Sequence, residues 1–188
     1  MESSSTSGQT DDVIRRSLAV ARAAESLNLL NPGDWPDVAT ALILEGAPDL
    51  EFGELAALGR AASGWEAEPL VSALYERYDV AEQTPDEAVA LMAGLAAADL
   101  RRSPVVVTSP MIRLLARLAP PDFVSEMACR AFYAEEFLDC DCRPDHDPSL
   151  ETELESLPDP DVTDGVAQAV MDTWRSALPA GQPSRGHG

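Results

Sequence analysis

EAEPLVSALYERYDVAEQTPDEAVALMAGLAAADL, residues 66–100, decides the fold class of this chain. Its first part places Leu70, Val71, Leu74 and Tyr78 at three- and four-residue intervals, which puts one apolar stripe along a helix. Thr84-Pro85-Asp86-Glu87 then reads as a helix start: a hydroxyl residue to cap, proline in the first turn and acids against the helix dipole. The helix that follows is rich in Ala and Leu and is expected to run to about Leu100. The pattern repeats outward in both directions, and the only notable run of β-branched residues is Val105-Val106-Val107. The reading is therefore an all-α, compact domain of roughly seven to eight short antiparallel helices.

Working toward the N-terminus, Met1 to Thr10 reads as a disordered arm. Asp11 or Asp12 caps a first helix expected to reach about Leu30, with Ile14, Leu18, Ala21, Ala24 and Leu27 on its apolar face and Asn31-Pro32-Gly33 as its stop. A second helix begins near Pro36 and ends at Gly46 and Pro48; a third runs from about Leu50 to Ala62, with Gly64 as the break before the next. Pro36-Asp37, Ala39 and Ala41-Leu42 echo Pro85-Asp86, Ala88 and Ala90-Leu91, which gives the arrangement a helical-repeat-like cast.

Toward the C-terminus, Ser103 to Pro110 is bracketed by prolines and reads as an extended connector. Ser109 caps a helix bearing Met111, Leu114, Leu115 and Leu118, with Arg113 and Arg117 on another face. The most apolar helix is expected from Phe123 to about Leu138, and a last one from Thr163 or Asp164 to about Leu178, striped by Val166, Val170 and Trp174. Residues 11–178 thus read as a single domain. An acidic, proline-rich loop lies within it at 139–162, and 179–188 form a flexible tail.

Charge is the strongest functional signal. The chain of 188 residues has a formal net charge of −20, and all 13 of its basic residues are arginine. From Glu135 to Asp164 twelve carboxylates face one base, Arg143. A segment so acidic, interrupted by Pro144, Pro148, Pro158 and Pro160, buries too little apolar surface to fold alone and reads as a solvated surface. Such a charge repels phosphate backbones, so direct nucleic-acid binding is not expected. It steers toward basic proteins instead. Asp141, Asp145, Asp147, Glu151, Glu153, Glu155, Asp159 and Asp161 are the partner-binding acids of this reading. No signal-peptide pattern opens the chain, no apolar run approaches the ~20 residues of a membrane span, and the cysteine count is three, so a cytoplasmic location is expected.

Cys140, Cys142 and His146 form the one candidate metal cluster, with Cys129 upstream, and zinc is the ion their chemistry suits. Their Cys-x-Cys spacing differs from the usual two- to four-residue knuckle, because alternate residues of an extended chain point to opposite sides. The starts Asp139-x-Asp141 and Asp159-x-Asp161 fail as calcium loops: the glycine and glutamate positions hold Pro144 and Leu150 in one, Asp164 and Val170 in the other. Glu51/Glu54 and Glu136/Asp139 sit one helical turn apart, as paired magnesium ligands would, but read as solvated faces in a chain with 33 acids. The only histidines are His146 and His187, and no nucleophile elbow, phosphate loop or dinucleotide pattern is present. Trp35, Trp65 and Trp174 stand at or beside helix boundaries and read as core, with a partner anchor as the alternative for any that is exposed.

Three functions follow. The first is a non-enzymatic module of inhibitor, immunity or regulatory type that presents its acids to a basic protein. The second is a metal-dependent regulator or enzyme built on Cys140, Cys142 and His146. The third is a structural accessory subunit whose tryptophan-bearing faces mediate homo-oligomerisation.

Overall fold

The computed structural model describes residues 5–47, 50–102 and 156–176. Every regular element among them is helical: α1 (Ser5–Ser26), a 3-10 turn (Pro32–Asp34), α2 (Trp35–Leu44), α3 (Leu50–Leu58), α4 (Gly64–Arg77), α5 (Pro85–Arg102) and α6 (Asp164–Ser176). The helices expected after Ser109 and over 123–138, and the connector before them, lie outside the described residues. No described helix is long and apolar enough to cross a membrane.

Helix α1 buries Ile14, Leu18, Ala21 and Ala24, the face read from the sequence. It starts at Ser5 instead of Asp11 or Asp12, so residues 5–10, read as part of a disordered arm, are helical. Once a helix is nucleated each further residue adds a backbone hydrogen bond, and polar residues can extend it without burying anything. It also ends earlier than Leu30, at Ser26. Asn28 adopts the left-handed conformation (φ 56°), and the Leu29 and Asn28 amides donate to the carbonyls of Ala24 (2.8 Å) and Glu25 (2.9 Å). That pair of bonds is a Schellman stop with asparagine where glycine is usual. The same geometry ends α2 at Gly46 (φ 95°) and α4 at Asp79 (φ 50°). In each case the residue after the left-handed one, Leu29, Ala47 or Val80, is buried, so the stop also turns the chain back into the core.

Helix α3 stops at Leu58, short of Ala62, because Gly59 turns left-handed (φ 73°). Gly64 proves to be the first residue of α4 and no break at all. Ser63 is its cap, with the Glu66 carboxylate folded back to accept from the Ser63 amide at 2.9 Å and hydroxyl at 2.6 Å. Thr84 and Glu87 open α5 in the same way, at 2.8 Å and 2.9 Å, as Thr84-Pro85-Asp86-Glu87 predicts.

Sequence neighbours pack together in α2 with α3 and α3 with α4, whereas the extensive contacts of α1 are with α5 and α6. The 3-10 turn touches α2 and α4, and α6 closes on α2, α1 and α5. Residues 92–98 of α5 are all buried, so this stretch is enclosed on every side. Aromatic rings fill the joints: Trp35 meets Tyr75 edge-on and Phe52 meets Tyr78 at a tilt, both with centroids 6.1 Å apart. The repeat echo gives α2 and α5 the same proline start but different surfaces, since Leu42 is buried and Leu91 only partly so.

Candidate functional site

The end of the acidic segment is held down. Residues 157–163 form no regular structure, yet Leu157 and Val162 pack against the core. Where this strap crosses α5, a Cβ on Gly94 would stand 2.7 Å from the Pro158 carbonyl, so glycine alone permits the approach. At α1, Arg16 grips it twice: its Nη2 lies 2.9 Å from Asp161 Oδ2 and its Nε donates to the Asp161 carbonyl at 3.1 Å. Asp161 is left-handed (φ 52°), and its amide donates to Asp159 Oδ1 at 3.0 Å, an aspartate turn that tolerates that conformation. Both carboxylates remain exposed. The strap delivers the chain to α6, whose second residue, Gly165, donates its amide at 3.0 Å to Oε1 of Glu45, the residue that follows α2. The residue that ends one helix thereby caps the N-terminus of another.

Of the acids assigned to partner binding, the structure thus places Asp159 and Asp161, at the foot of α6 and against α1. Asp141, Asp145, Asp147, Glu151, Glu153 and Glu155 lie outside the described residues, as do Cys129 and the trio Cys140, Cys142 and His146. Among the described residues, no group of three or more metal-ligating side chains comes together.

The arginines are informative in a way the sequence did not disclose. Five have described side chains, and every one forms an ion pair: Arg15 with Asp12, Arg16 with Asp161, Arg22 with Glu82 (3.2 Å), Arg60 with Asp37 (2.8 Å) and Arg77 with Glu51 (3.6 Å). Exposed pairs of this kind add little to stability, commonly ~0–1 kcal/mol each. Their consequence is chemical: each of these guanidiniums already faces a carboxylate, while Asp11, Glu54, Glu68, Glu76, Asp79 and Asp86 stand exposed outside these pairs. Of the Glu51/Glu54 pair, Glu51 lies beside Arg77.

Tyr75 is the described polar group with the strongest perturbation. Its hydroxyl donates to Glu25 Oε2 at 3.0 Å, and the Arg22 guanidinium lies 4.6 Å from its ring centroid while also donating to the Val80 carbonyl. Burial first, and then the Glu25 charge, push its phenol far above the usual range, so it serves as a neutral bolt between α1 and α4. Ser17 is fully buried, and its hydroxyl has no hydrogen-bond partner among the described residues.

Trp35 and Trp174 are 2% and 0% exposed and belong to the core as expected, but Trp65 is 91% exposed. The core reading of Trp65 is therefore corrected. Its phase gives the reason, and the sequence carried that signal: it precedes the buried Ala67, Val71 and Leu74 by two, six and nine residues, which sets it on the opposite side of α4. It shares that outer side with Glu68, Ser72 and Glu76, three, seven and eleven residues on, all exposed. Compared with known proteins, the chain matches no family model, no curated sequence and no solved structure.

Proposed function

We propose that this is a non-enzymatic, cytoplasmic binding protein that offers a carboxylate-rich surface to a basic protein partner, in the manner of an inhibitor, immunity or regulatory protein. The observation that carries the reading is the pairing of all five described arginine side chains with carboxylates, while further acids stand exposed. A surface built this way has cations committed internally and acids left over. It attracts lysine- and arginine-rich surfaces at long range and repels phosphate.

The test is the salt dependence of association with an arginine-rich probe protein, compared between the native chain and a variant with Glu151, Glu153 and Glu155 changed to lysine. Association is expected to weaken steeply as salt rises, and the triple charge reversal is expected to slow encounter. Equal association rates for the two chains at low salt would overturn the proposal.

A further inference from the structure

Resting on that reading, we infer that the outward face of α4 is the docking face for a basic segment of the partner, with Trp65 as its aromatic anchor and Glu68 and Glu76 as its charge contacts. Three observations converge there. An indole 91% exposed is the largest unpartnered apolar side chain among the described residues, and tryptophan is the residue most enriched at binding hot spots. The polar residues that share its side of the helix are Glu68, Ser72 and Glu76, so the rim of the apolar anchor is negative. The one arginine of α4 is turned elsewhere, toward Glu51 of α3, and leaves that rim without a cation of its own helix.

The occupant follows from this chemistry. The face of an indole ring attracts a guanidinium or ammonium, and a carboxylate one turn along reinforces the same preference. An acidic or neutral segment would gain the apolar contact alone. Trp65 and Glu76 are eleven residues apart, roughly 16 Å along the helix axis at 1.5 Å per residue, enough for a short basic segment to meet both ends of the face. The other large apolar side chains exposed among the described residues, Ile43, Leu44 and Leu50, are aliphatic and offer a cation no aromatic face.

Because Trp35 and Trp174 are buried, collisional quenching of the intact protein by acrylamide reports on Trp65, with Trp65→Phe as the assignment control. Free protein is expected to show one quenchable indole. Decaarginine, added at low salt, is expected to shield it and shift its emission to the blue. Trp65→Ala, and separately the pair Glu68→Lys and Glu76→Lys, are expected to weaken that binding about tenfold or more with thermal unfolding unchanged. If decaarginine binds with strong salt dependence but leaves Trp65 quenchable, and Trp65→Ala binds like the native chain, the α4 face is not the dock while the acidic-surface reading stands. If decaarginine fails to bind at any salt concentration, both fall. An unquenchable Trp65 in the free protein would also overturn the inference, since the face would then be covered.

Discussion

The seam where α6 closes on α2 and the outward side of α4 are built from the same materials and end in opposite states. Each helix begins with a carboxylate accepting hydrogen bonds at its N-terminal end, and each carries a tryptophan. At α6 the carboxylate comes from Glu45, just past the end of α2, and Trp174 is in phase with the buried Val166 and Val170. At α4 the carboxylate is the helix's own Glu66, and Trp65 is out of phase with the buried stripe. The first arrangement ties two elements together and closes the core. The second caps the helix locally and leaves its outer side committed to nothing within the described residues. Phase, more than residue type, separates a core tryptophan from a surface one.

The sharpest way to break this comparison is to remove each ring. Trp174→Ala opens a cavity among Val170, Met171 and their neighbours and is expected to cost about 3–5 kcal/mol of stability. Trp65→Ala is expected to change stability by no more than about 0.5 kcal/mol, as surface substitutions do. Urea unfolding of the two variants decides the matter, and similar midpoints would refute the division into core and surface rings.

A smaller effect tests how tightly the seam is drawn. A methyl group on Gly94 would meet the Pro158 carbonyl at 2.7 Å, a backbone atom that can yield only if the strap lifts from α5. Gly94→Ala is expected to cost about 1–3 kcal/mol, in the range of overpacked cores. Gly165→Ala should cost less. Its nearest obstacle, Glu45 Oε1 at 2.8 Å, ends a flexible side chain, although Ala41 Cβ at 3.2 Å must still give way. A Gly94→Ala variant as stable as the native chain would show that the strap is not seated as described.

What the sequence made legible follows from the same logic. The start of α5 and the stripe of α6 were readable because Thr84, Pro85 and Glu87, and Val166, Val170 and Trp174, are local patterns that need no partner to specify them. The stops at Asn28 and Asp79 were not foreseen, since only a minority of such residues turn left-handed and the choice depends on burying Leu29 and Val80. Ser63 with Glu66 is a capping box legible in the sequence, but Gly64 beside it is a competing break signal. The grip of Arg16 on Asp161 and of Glu45 on Gly165 spans more than a hundred residues in each case, and no local pattern announces it. The acidic character of the site was plain in composition; the exposure of Trp65 required only that its phase be counted against Ala67, Val71 and Leu74.

The smallest effect concerns the two local caps, and its sign can be worked out. Hydrogen bonds from the Ser63 hydroxyl and then its amide lower the Glu66 pKa; at Glu87 the Thr84 amide contributes first and its hydroxyl second. A carboxylate whose pKa is depressed on folding adds stability that is present above its unfolded pKa and is lost as pH falls through the folded value. Both groups are fully exposed, so the contribution is screened and small. The native chain should therefore lose slightly more stability on acidification than a Ser63→Ala, Thr84→Ala chain, with the difference confined to the acid limb of a urea-midpoint profile. Parallel profiles would refute the capping assignment.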